Sequence, residues 1–174
     1  MAENIKITGD KKLIKDLKNL AKKWPEIYKE ETTKILKLIA ARYESEVVQR
    51  TPAGVGGASG LRGSIGATEP KVSAAGASVS VGSPLEYAEP VEFGRKAGRR
   101  PPVGPLELWA IRKLGISKDE ARSVGFALSI HIGRHGTEGA FMFRDGWAAM
   151  EGWADEQAAI LPKRITDRAM AQVD

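Results

Sequence analysis

The chain has 174 residues, 42% of them apolar and 28% charged, and a formal net charge of +5 at pH 7. That length fits one domain of roughly 100–200 residues, and the composition is neither that of a disordered chain nor that of a membrane protein. The absence of cysteine excludes disulfides, thiolate nucleophiles and Cys-based zinc sites, while no apolar run approaches the ~20 residues of a bilayer span.

The N-terminus lacks an apolar signal-peptide core, so the protein is expected to stay soluble where it is made. Ile5–Thr8 reads as a short strand closed by Gly9 and Asp10, with Asp10 as a helix N-cap. Leu13, Leu17, Leu20 and Trp24 then recur at three- and four-residue spacing, with lysines on the other faces, which is the pattern of an amphipathic helix with a solubilising surface. Pro25 predicts a break or kink. A second helical pattern through Ile27, Ile35, Leu38, Ile39, Arg42, Tyr43, Glu46 and Val47 stops near Thr51, because the residue before Pro52 avoids the helical region. Residues 52–60 carry four glycines and no large side chain and predict a mobile loop. Its Gly54-x-Gly56 is no phosphate loop: Ser59 stands where the third glycine belongs, and no Gly-Lys-Ser/Thr follows.

After this loop the apolar period falls to two. Leu61–Ala67, Ala77–Gly82 and Tyr87–Phe93 predict strands, with Pro70, Gly76 and Ser83-Pro84 in the connections. Val79 and Val81 share one face and Ser78 and Ser80 the other, as in a sheet covered on one side. Pro90 cannot donate to a ladder, so the third strand is expected at an edge or with a bulge, open to a neighbouring subunit. Directly behind it, Arg95, Lys96, Arg99 and Arg100 concentrate positive charge with no intervening acid, a patch suited to an acidic protein or to nucleic acid.

From Pro101 the pattern is helical again. Pro105 suits a first turn, Leu106, Trp109, Ala110 and Leu114 form one face, and Gly115 ends it. Ser117 and Glu120 make a capping box for a helix through Ala121, Val124, Leu128 and Ile132, terminated at Gly136. Phe141-Met142-Phe143 reads as an apolar plug, and Asp145 as the cap of a last helix with Trp147, Met150, Trp153 and Ile160, which Pro162 should kink or split. The fold class is therefore α+β: a long N-terminal helix, a small antiparallel sheet of about three to four strands, and C-terminal helices. A single domain over 1–174 is expected, with a helical insertion at about 101–137.

Chemistry is sparse. His131 and His135 stand four apart on a helix with Glu138 nearby, but the glutamate of HExxH is missing and Arg134 would repel a cation, so a helix-end pair favourable to the helix dipole is the simpler reading. Ser64 lacks the nucleophile elbow, since Arg62 stands where its first glycine belongs. The pairs Glu86/Glu89 and Glu89/Glu92 have no apolar pocket in view and read as edge charges. Trp24, Trp109, Trp147 and Trp153 lie on helical patterns, which favours core or protein contacts over base stacking. Trp147 and Trp153 are about 240° apart at 100° per residue and cannot share one narrow stripe. No catalytic, metal or cofactor site is expected.

Two motifs carry a resemblance. Gly60-Leu61-Arg62-Gly63-Ser64-Ile65 and Tyr87-Ala88-Glu89-Pro90-Val91-Glu92-Phe93-Gly94 follow a long helix and a glycine-rich segment in that order. Over about residues 10–100 this organisation resembles the tailed-bacteriophage family of head-tail joining proteins, also called tail-completion or neck proteins. Two departures stand out: the loop before Gly60 lacks the family's common Asp-Thr, and residues 101–137 insert two helices before the last one.

The resemblance implies a non-enzymatic virion protein that acts where the tail meets the neck, after assembly in the host cytoplasm. It implies a ring of subunits, six to match a sixfold tail tube, with neck, connector, tail-terminator or tail-tube proteins as partners and neither membrane nor cofactor. The interface residues expected on this reading are Arg62, Tyr87, Glu92, Phe93, Arg95, Lys96, Arg99 and Arg100, the basic ones meeting an acidic neighbour or passing DNA. Two other classes compete: a DNA-binding accessory protein using the basic loop 95–100, and a zinc hydrolase using His131 and His135.

Overall fold

The computed structural model describes residues 11–52, 54 and 60–171, and of residues 12–14 the backbone alone. The strand expected at Ile5–Thr8, the cap expected at Asp10 and most of the loop at 52–60 lie outside the described residues. The elements are α1 (Lys11–Arg50), α2 (Leu61–Ser64), β1 (Gly66–Ala67), β2 (Lys71–Ser73), β3 (Gly76–Ser78), β4 (Val81–Gly82), α3 (Ala88–Phe93), α4 (Val103–Leu114), α5 (Lys118–His135), α6 (Met142–Ala148), α7 (Glu151–Ala159) and α8 (Leu161–Met170). The α+β class holds, with a long first helix, short antiparallel ladders and helices to the C-terminus.

The chain divides into two compact units that alternate along the sequence. One comprises the described parts of Met1–Ile39, Glu69–Val79 and Gly152–Asp174; the other comprises Ala40–Thr68 and Ser80–Glu151. In the first, Ile27, Ile165 and Ala169 are buried together, with Leu20, Tyr28 and Leu161 packed around them. Of the break or kink expected at Pro25, the break does not occur: α1 runs 40 residues with Pro25 inside it. Leu20 and Ile27 join one apolar cluster from either side of the proline, so packing offsets the roughly 3 kcal/mol that an interior proline costs a helix. The same unit holds β2 and β3, paired antiparallel with Val72 opposite Ala77.

In the second unit Val47, Leu61, Ile65, Ala88 and Met142 form the core, and Tyr43, Val48, Val81, Val91 and Phe143 pack against it. Burying side chains of this size stabilises the fold by about 1.5–3 kcal/mol each. β1 pairs antiparallel with β4, Gly66 opposite Gly82. The expected sheet is thus two separate two-stranded ladders, and two of its strands are corrected. Leu61–Ser64 is a helical turn that leaves only Gly66–Ala67 extended. Tyr87–Phe93 is helical from Ala88 to Phe93, so Pro90 marks no sheet edge: it occupies the first turn, where its missing N–H has no partner to lose. β2 was not foreseen.

The C-terminal half follows its punctuation more closely. α4 ends at Gly115, and α5 opens with the Ser117/Glu120 capping box and closes at Gly136. Pro162 stands in the first turn of α8, directly after α7 ends, and so separates two helices. The cap expected at Asp145 is corrected: Phe141 precedes α6, and Asp145 lies inside it, ion-paired to Arg144 at 2.8 Å.

Candidate functional site

The segment from Tyr87 to Pro101 is fastened by its backbone to the segment from Ser129 to Arg144. Val91 and Glu92 carbonyls accept from the N–H groups of Ala140 (2.8 Å) and Phe141 (3.0 Å). Arg95 and Thr137 exchange both main-chain bonds at 2.9 Å, and Gly98 N–H donates to Gly133 O at 2.8 Å. Ser129 Oγ donates to Pro101 O at 2.7 Å. Two glycines make this close approach possible. Gly94 and Gly136 each have φ of +76°, and a Cβ on either would collide with a facing carbonyl oxygen, that of Thr137 and of Arg95 respectively. Only glycine meets both demands at low cost.

Glu92 completes the junction from beneath. It is 5% exposed, and its two carboxylate oxygens accept from Phe143 N–H (3.0 Å) and Arg144 N–H (3.2 Å). These are amides in the first turn of α6, which intrahelical bonding leaves unpaired. Tyr43 donates its hydroxyl to Phe143 O at 3.0 Å. Burial, and secondarily the charge of Glu92, push the Tyr43 phenol above its usual pKa of 10.0, so it remains a donor. Phe141 is held at φ of +47°, with the Arg144 guanidinium 3.9 Å over its ring.

The eight residues expected at an interface are therefore distributed unevenly. Tyr87 and Phe93, 48% and 67% exposed, bracket α3 and face solvent. Lys96, Arg99 and Arg100 are exposed; Arg95 is half-buried and donates to Arg99 O at 3.3 Å. Arg62 donates from Nε to Thr51 O at 2.6 Å, which ties α2 to the end of α1. Glu92 alone of the eight is buried.

Sequence reasoning missed the partner strip at 136–144. The glycines Gly136 and Gly139, three residues apart, are its only signal. His131 and His135 stack with ring centroids 4.4 Å apart, and His135 Nδ1 lies 3.0 Å from His131 O at the exposed helix end. Among the described residues no group of three or more His, Asp or Glu is placed to hold a metal ion, and no helix is long and apolar enough to cross a membrane.

A family described as "Bacteriophage HK97-gp10, putative tail-component" matches residues 11–94. This segment, from the start of α1 to Gly94 at the end of the second motif, belongs to that family of phage tail components. No curated protein and no solved structure matches the chain. The arm formed by α4 and α5, and helices α6 to α8, lie beyond the matched residues.

Proposed function

We propose that this chain is a structural subunit that completes the phage tail or joins it to the head-neck connector, and that it works as a ring of copies, six against a sixfold tail. The observation that carries this reading is the tail-component match over residues 11–94, which ends on a motif whose aromatic side chains face outward. Tyr87 and Phe93 are exposed on a backbone pinned by Glu92 and the glycines. Large exposed aromatics on a rigid frame suit a protein interface, because little conformational freedom is lost when a partner docks. Lys96, Arg99 and Arg100 follow directly in the chain and add positive charge, and Arg62 belongs to the same proposed interface. Glu92 and Arg95 position this surface from below.

The partners are further copies of the chain and the neck, terminator or tail-tube proteins; the role is assembly, with no turnover of a substrate. The test is infection with phage carrying Arg95, Lys96, Arg99 and Arg100 all changed to alanine. Filled heads beside unattached tails are expected, with the variant protein itself still folded, since the replaced side chains reach solvent or one carbonyl. Normal particles in normal yield would overturn the role given to these residues. Normal particles from phage lacking the protein altogether would overturn the tail-joining reading.

A further inference from the structure

The arm of α4 and α5 packs chiefly on itself. Its seam is made of small residues: Ala110 and Ala121 are fully buried, and Gly125 and Ser129 are buried beside them. Such a seam lets two helices approach closely but buries little apolar surface. The larger side chains stay outside it: Leu108 is 52% and Phe126 54% exposed. A two-helix hairpin of this kind is half of a four-helix bundle.

One face of the arm has chemistry that selects its own occupant. Val103 and Glu107 of α4, with Arg122, Ser123 and Phe126 of α5, line one open groove. Glu107 and Arg122 enter it from opposite helices, and among the described residues neither is ion-paired. A face bearing one acid and one base beside an exposed phenyl ring is complementary to itself under a two-fold axis, where residue i meets j and j meets i.

We infer that the arms of two copies pair through this face, Glu107 of one meeting Arg122 of the other in both directions, with Phe126 buried between them. Helices of ~18 and ~27 Å, set roughly 9 Å apart, offer on the order of 500 Å² per copy. The total of about 1,000 Å² is the lower limit for a specific interface. An interface at this limit is weak, and it is a different contact from the ring around the motif surface.

Sedimentation equilibrium of the full chain over roughly 1–200 μM tests it. Wild type should pass from monomer to dimer. R122E should weaken the dimer about tenfold or more by placing like charges together, and F126D should abolish it. The swap E107R/R122E should return affinity to within about threefold of wild type. Glu107 packs against Gly125, so the swap carries a folding risk; Arg122 and Phe126 are exposed, and their variants should melt like wild type. A chain that stays monomeric at 200 μM overturns the inference, as does a dimer indifferent to R122E and F126D. A dimer broken only by reversing Lys96, Arg99 and Arg100 overturns it as well. None of these results touches the tail-joining reading, which is scored on particles.

Discussion

Glu92 and Glu31 are almost equally hidden, 5% and 4% exposed, yet the chain satisfies them in opposite ways. Glu92 is met by main-chain amides of Phe143 and Arg144. Glu31 is met by side-chain cations: Lys34 at 2.7 Å, Arg168 at 2.8 Å and Arg164 at 3.2 Å. Backbone donors cannot swing away into water, so Glu92 and α6 are fixed together or not at all. The cations around Glu31 are 33–56% exposed; they lose little solvation on binding and regain it if the acid is removed. The first arrangement makes a rigid platform, and the second a clamp between α1 and α8 that charge and pH can loosen.

The harshest way to break the platform is Gly136→Ala. The new Cβ would strike the Arg95 carbonyl oxygen while the residue is held at positive φ. Left-handed backbone costs roughly 1–2 kcal/mol and overpacking about 1–3 kcal/mol, so a loss of about 2–5 kcal/mol is expected in denaturant unfolding. A loss under 1 kcal/mol would mean that the strips 94–98 and 133–137 are not held together as described. Glu92→Ala comes next: the first-turn amides of Phe143 and Arg144 lose their acceptors, at about 1–3 kcal/mol in all. Glu92→Gln keeps an acceptor oxygen and should cost less than half as much. Equal losses from both would refute the capping role.

How much of this was legible in the sequence depends on which force decides each element. Punctuation was readable where one local signal acts alone: Ser117 with Glu120 opens α5, and Gly115 and Gly136 close helices as expected. It misled where tertiary packing decides. Pro25 reads as a break or kink, but Leu20 and Ile27 pack in the same cluster and carry α1 through it. Val91 alternates with polar neighbours as a strand residue would, yet Ala88 and Val91 face the core at a helical spacing of three, and Pro90 fits a first turn as well as a strand edge. Glu92 reads from its motif as an interface residue. Nothing local reveals that its acceptors are needed fifty residues later, because the α6 amides it caps carry no sequence mark of their own. The glycines at 94 and 136 hinted at close approach without naming what approaches.

The clamp should answer to acid through the charge it is built on. The bond from Lys34, then those from Arg168 and the nearby charge of Arg164, hold the Glu31 carboxyl below its ordinary value of 4.5 against the opposing cost of burial. A carboxyl lowered on folding stabilises the fold fully above its unfolded pKa, and that contribution fades as pH falls through the folded one. Glu31→Gln should therefore cost roughly 1–2 kcal/mol at pH 7, moderated because the cations are solvated. The gap between wild type and variant should narrow below pH 4.5 as Glu31 itself takes up a proton. Melting curves of both proteins from pH 7 to pH 3 read this directly. A gap that stays constant across the range would show that Glu31 acts through its shape and packing, and the charge-built clamp would fail.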